Sequence, residues 1–116
     1  MDTKSNTQVE RTFLSLPGEE REAIISLGAA LRLSYLRKRL FLAESKVLYF
    51  KERYGATLAQ LDVEGLPDDA DVEMHEDFIM WHHWAEVINK IRKDIASIEK
   101  IAQEGLCLGE KSYAGC

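Results

Sequence analysis

The chain has 116 residues, 46% of them hydrophobic and 30% charged, with a formal net charge of −5. That length fits one domain, which buries roughly two-thirds of its unfolded surface. No apolar run approaches the roughly 20 residues needed to span a bilayer, and the acidic balance argues against wholesale nucleic-acid binding.

Residues 1–6 are polar and are expected to be disordered. Met1-Asp2-Thr3-Lys4-Ser5-Asn6 also lacks the apolar core of a secretory signal, which leaves a cytoplasmic location as the expectation. Thr7 can cap a short helix over Gln8 to Leu14, with Glu10 in the capping-box position and Val9, Phe13 and Leu16 along one edge. Ser15-Leu16-Pro17-Gly18-Glu19-Glu20 reads as a second helix start, with a Ser cap, an early Pro and acids at the positive end. Gly28 then marks a break, a kink or a close helix crossing. From Ala29 to Tyr54 nothing interrupts helicity, a run of about 39 Å.

Gly55 stands where a helix end favours a left-handed residue. Thr57 with Gln60 forms a second capping box, opening a helix of one to two turns over Leu58, Ala59 and Leu61 that stops before Gly65. Leu66-Pro67-Asp68-Asp69-Ala70-Asp71 is a loop by composition. Asp71 or a neighbour caps the next long helix, with Glu73, Glu76 and Asp77 in its favourable first turns. That helix runs to about Gln103 and Gly105 ends it, so the domain covers 7–104 and 105–116 is a flexible tail whose Leu106 and Leu108 can dock back onto the helices. Cys107 and Cys116 fall in the tail; they suit neither a disulfide framework nor a zinc knuckle and are expected as free thiols.

Two heptad runs organise all of this. Leu33, Leu36, Leu40, Ala43, Val47, Phe50 and Tyr54 form one, and Trp81, Trp84, Ile88, Ile91, Ile95, Ile98 and Ala102 the other. Steps of three and then four put each run on one side of an α-helix, whereas a strand would step by two. The expected fold is all-α: an antiparallel helical hairpin of two long helices, with short N-terminal and hinge helices. Its core is expected at Leu36, Leu40, Val47, Phe50, Tyr54, Trp81, Trp84, Ile88, Ile91 and Ile95.

Apolar residues are left over beside the seam: Leu31, Tyr35, Leu42 and Tyr49 on the first helix, and Phe78, Ala85, Val87 and Ile101 on the second. The N-terminal helices can cover part of this surplus. The remainder calls for association, with a second copy in a four-helix bundle or with a different partner.

Charge is segregated as well. Between Arg53 and Lys90 there is no Lys or Arg, while Asp62, Glu64, Asp68, Asp69, Asp71, Glu73, Glu76 and Asp77 crowd the hinge. Helix capping accounts for the last three. Asp62, Glu64, Asp68 and Asp69 exceed that need, and such a cluster can imitate a phosphate backbone. Arg32, Arg39 and Lys46 make a basic stripe at seven-residue spacing, read as a solvated face or as partners for the acidic second helix.

Chemical motifs are sparse. His75, His82 and Glu86 share a helix face and could ligate zinc or iron if a facing helix supplied carboxylates. The bundle di-iron motif, however, needs Glu three residues before each His, and Ile79 and Met80 precede His82 and His83. No cofactor or metal is therefore assigned. Ser34 and Ser45 read as interface hydroxyls, and there is no nucleophile elbow or phosphate-binding glycine loop. A non-catalytic chain is expected.

The stretch Phe50-Lys51-Glu52-Arg53-Tyr54-Gly55-Ala56-Thr57, with Glu76-Asp77-Phe78-Ile79-Met80-Trp81 after an acidic hinge, resembles small prokaryotic helical proteins. Their pattern is Phe-x-x-x-Tyr-Gly-x-Ser/Thr, then Glu-Asp-aromatic-x-x-Trp, and some look like the antitoxin halves of toxin–antitoxin pairs. The likeness covers roughly residues 47–100. Ala56 and Leu61 depart from it, standing where a larger apolar residue and an aromatic are usual. It implies a protein partner, a toxin, and no catalysis. The residues expected to meet that partner are Asp62, Glu64, Asp68, Asp69, Asp71, Tyr35, Leu42 and Tyr49. A homodimeric scaffold without a toxin, and a metal-dependent bundle enzyme, are the alternatives.

Overall fold

A computed structural model describes the backbone of residues 3–109 and the side chains of residues 7–104. Every described element is helical: α1 (Thr3–Ser15), α2 (Gly18–Tyr54), α3 (Leu58–Glu64) and α4 (Val72–Gly109). The two long helices, α2 and α4, pack together. By contact the chain forms two compact units, one from the residues up to Ser34 and from Ala96 onward, the other spanning Tyr35–Ile95. No helix among the described residues is long and apolar enough to cross a membrane.

In the first unit, α1 opens at Thr3, ahead of the Thr7 cap expected from sequence. Thr3 to Asn6 contain no Pro or Gly to stop the backbone from extending the helix. Ser15 is the last residue of α1 and does not cap α2; its hydroxyl donates back to the Thr12 carbonyl at 2.7 Å. The turn is instead closed by the Pro17 carbonyl, which accepts from the amides of Glu20 and Arg21, and by Arg21 Nη1, which donates to the Leu14 carbonyl at 2.7 Å. Gly28 lies inside α2, so the helix neither breaks nor ends there. A Cβ built at Gly28 would meet nothing within 4 Å, which also removes the close crossing. Ala29 and Leu33 are buried.

At the far end α4 continues through Gly105 to Gly109. A single glycine costs a helix about 1 kcal/mol, and with no Pro beside it the penalty does not by itself end the helix. The expectations for Cys116 and for the side chains of Leu106, Cys107 and Leu108 lie outside the described residues.

The second unit holds the core. Phe50, Leu61 and Trp81 are buried together, with Val47, Tyr54, Ala56, Leu58, Leu66, Phe78 and Trp84 packed against them. Trp81 is 1% exposed and rests on two residues one helical turn apart: its ring lies 5.8 Å from that of Phe50 and 6.3 Å from that of Tyr54, tilted by 27° and 21°. Leu36, Ala43, Ile88 and Ile91 continue the buried seam, and Leu40 and Ile95 are half-buried. Cross-helix pairs within this unit show that the helices are antiparallel: Arg53 meets Glu73, whereas Glu44 meets Arg92.

The turn between them follows from its residues. Gly55 adopts φ +61, and its amide donates to the Lys51 carbonyl at 2.9 Å. Thr57 and Gln60 complete the capping box: the Gln60 amide donates to Thr57 Oγ1 at 3.1 Å, and the Thr57 amide to Gln60 Oε1 at 2.8 Å. Gly65 at φ +78 ends α3. Asp71 then caps α4, its Oδ1 accepting from the Met74 amide at 2.8 Å. α3 also alters the count of leftover apolar residues. Phe78 packs on the Leu61 cluster and Ala85 and Val87 are half-buried, so these three are not surplus.

Candidate interaction surface

The expected partner residues separate into two surfaces with different standing. On α2, Tyr35, Leu42 and Tyr49 recur every seven residues on one side of the helix, well away from the buried seam. They are 50%, 50% and 52% exposed. Tyr49 is also anchored: its ring meets Phe50 edge-on at 5.4 Å, and its hydroxyl accepts from Arg53 Nη1 at 3.0 Å. Arg39 lies over the Tyr35 ring, 5.9 Å from its centroid. An aromatic ring with a hydroxyl at its tip suits a half-wet contact surface.

The acidic hinge is less free than its composition implied. Asp62 accepts from His82 Nε2 across 2.7 Å when that nitrogen carries the proton, and Asp71 serves as the helix cap. Only Glu64, Asp68 and Asp69 of the expected five are exposed with no hydrogen bond or ion pair among the described residues. Phosphate imitation therefore rests on three carboxylates.

A polar cluster that the sequence reading did not single out closes the hairpin mouth. Arg53 in the last turn of α2 donates to Glu73 Oε1 at 2.7 Å and lies 3.3 Å from Asp77 Oδ2. The Tyr54 hydroxyl donates to the same Asp77 oxygen at 2.5 Å, and Arg53 sits 5.4 Å from the Tyr54 ring centroid. The Glu73 and Tyr49 hydrogen bonds hold the guanidinium firmly charged. Partial burial, and then the bond to Asp77, push the Tyr54 hydroxyl up to about 12. One signal in the sequence could have found it. Arg53 is the last cation before the cation-free stretch, and an antiparallel hairpin sets the end of α2 beside the start of α4.

Of the basic stripe, Arg39 and Lys46 are exposed and make no ion pair among the described residues, as a solvated face would. Ion pairs between α2 and α4 include Arg53 with Glu73 and Asp77, and Glu44 with Arg92. Ser45, expected as an interface hydroxyl, donates to the Phe41 carbonyl of its own helix at 2.8 Å.

The ligand set His75, His82 and Glu86 does not come together. Among the described residues no three of His, Cys, Asp and Glu converge as metal ligands, and His82 turns toward Asp62.

Two features went unnoticed in the sequence. Phe41 and Leu48, seven residues apart, are 74% and 52% exposed on another side of α2. Leu48 also edges a shallow groove of ≈ 450 Å³ with Lys51, Glu52, Ala56 and Gln60. No protein-family model, curated protein or solved structure matches this chain.

Proposed function

We propose that this chain is a non-catalytic protein-binding module, antitoxin-like or regulatory in role. It meets its partner through the outer side of α2 and through the acidic hinge. The observation that carries this reading is the half exposure of Tyr35, Leu42 and Tyr49 at one seven-residue repeat. Rings and branched chains on that spacing form the apolar stripe that partner helices pack against. Glu64, Asp68 and Asp69 add a second contact suited to a basic surface. The test is to express the product of the adjacent reading frame alone and together with this chain. Growth arrest by the neighbour that this chain relieves, with a complex that co-purifies, supports the antitoxin role. A neighbour harmless by itself removes that role.

A homodimeric scaffold is the second reading, and Phe41 and Leu48 favour it. Their side of α2 carries both signs of charge, Glu44 and Glu52 with Arg37 and Lys51, so a second copy could lie there without like-charge conflict. Light scattering at tens of micromolar decides it. A dimer that Phe41→Lys dissociates supports the scaffold, and a monomer sinks it.

A further inference from the structure

The apolar stripe of α2 is edged by one sign of charge. Lys38 and Arg39 lie between Tyr35 and Leu42, and Lys46 lies between Leu42 and Tyr49. On a helical wheel all three fall within one or two residue steps of the stripe, and no acid of Tyr35–Tyr49 lies on that side. Their charge is not spent on the rest of the fold. Among the described residues Lys38, Arg39 and Lys46 make no ion pair, and Arg39 meets only the Tyr35 ring in a cation–π contact.

This edging selects among occupants. A second copy packed on the stripe antiparallel about Leu42 would set Tyr35 against Tyr49 and Lys38 against Lys46. A parallel pair would set each cation against its own image. Both arrangements gather like charges beside a shared apolar seam, where they oppose association. An acidic amphipathic helix satisfies the same surface. Its apolar residues would meet Tyr35, Leu42 and Tyr49, and its flanking carboxylates would reach Lys38, Arg39 and Lys46. From Tyr35 to Tyr49 the stripe spans about 21 Å, so such a helix needs about four turns.

We infer that the Tyr35–Leu42–Tyr49 stripe of α2 is a docking site for an acidic amphipathic helix of a partner protein, with Lys38, Arg39 and Lys46 setting the required charge. The inference rests on the binding-module reading and adds the chemistry of the partner. Because the hinge asks for the opposite sign, the two contacts can be separated by experiment.

The probe is a synthetic helical peptide with Leu at seven-residue spacing and Glu on the flanks, titrated into the full chain by calorimetry. Its counterpart carries Lys in place of Glu. The acidic peptide is expected to bind about tenfold more tightly at low salt, the sum of a few exposed ion pairs, and the difference should shrink at high salt. The double variant K38E/K46E should reverse the preference, and Leu42→Glu should weaken both peptides. These side chains are exposed or edge an exposed stripe, so the variants should melt like the parent.

Equal binding of the two peptides, or a preference that K38E/K46E leaves unchanged, overturns the inference. So does binding to phosphatidylserine–phosphatidylcholine vesicles with neither peptide bound, since a basic amphipathic face can also lie on an anionic membrane. A natural partner whose binding is lost in the double variant D68N/D69N but unmoved in K38E/K46E would leave the binding module standing and remove this site.

Discussion

Trp81 stacks on Phe50 with ring centroids 5.8 Å apart, while its own indole N–H is buried without an acceptor among the described residues. The two facts pull in opposite directions. The ring anchors the hairpin mouth by filling the space beneath the hinge, whereas a buried donor left unpaired costs about 1–3 kcal/mol. Truncation should therefore be costly and a change to another aromatic mild. Trp81→Ala is expected to destabilise by about 3–5 kcal/mol. Trp81→Phe should lose less than half of that, because it keeps the stack and removes the orphaned N–H. Urea unfolding of both variants checks the pair, and a loss below about 1 kcal/mol for the alanine would place Trp81 outside the core.

Gly28 and Gly55 should respond to alanine with opposite signs. Gly28 is helical, exposed and surrounded by open space, so a methyl there only improves helix propensity. Gly28→Ala is expected to stabilise by about 0.5–1 kcal/mol. Gly55 also has room for a Cβ, but its φ of +61 is left-handed. Gly55→Ala should destabilise by about 1–2 kcal/mol. If Gly28→Ala were destabilising, the helix could not be continuous there.

The contrast between those glycines also shows what was legible in the sequence. Gly55, Thr57, Gln60 and Asp71 act through neighbours within a few residues, and each does locally what its type and spacing predict. The seam was equally readable, since from Leu33 to Ala102 its members are all buried or half-buried. Gly28 was ambiguous because a helical glycine is chosen by what surrounds it, and the sequence does not report surroundings. The Arg53–Glu73–Asp77–Tyr54 cluster was missed for a related reason. Its partners are some twenty positions apart in the chain and meet only once the hinge has fixed the register of α2 against α4. The engagement of Asp62 was hidden for the same reason, since its partner His82 lies twenty positions away, whereas the Asp71 cap is local and was readable.

Thr57 is expected to stabilise the hinge through its hydroxyl alone. α3 has 7 residues, too few to be stable apart from its cap and its packing. Thr57→Ala should cost about 1 kcal/mol and Thr57→Ser only a few tenths, since serine keeps the acceptor for the Gln60 amide. Denaturant melts give the two values. Amide exchange should place the faster opening in Leu58–Glu64, and equal losses for alanine and serine would show that the methyl group matters instead of the cap.

Tyr54 gives the fold an alkaline limit of its own. Its hydroxyl titrates near 10.0 in an unfolded chain, and partial burial together with the bond to Asp77 raises it to about 12 here. The folded chain thus holds the phenolic proton more tightly than the unfolded one. Stability from this difference is fully present below pH 10 and disappears as the pH climbs through 12. Tyr54→Phe removes the hydrogen bond at every pH, so it should be less stable than the parent by about 1–2 kcal/mol near neutrality. As the pH rises from 10 to 12 that gap should close, because the parent is losing what the variant never had. Urea midpoints of both proteins across this range measure it. Any pH effect that both proteins share cancels in the difference. A gap that stays constant with pH would mean that Tyr54 acts through its ring on Trp81 and not through its proton.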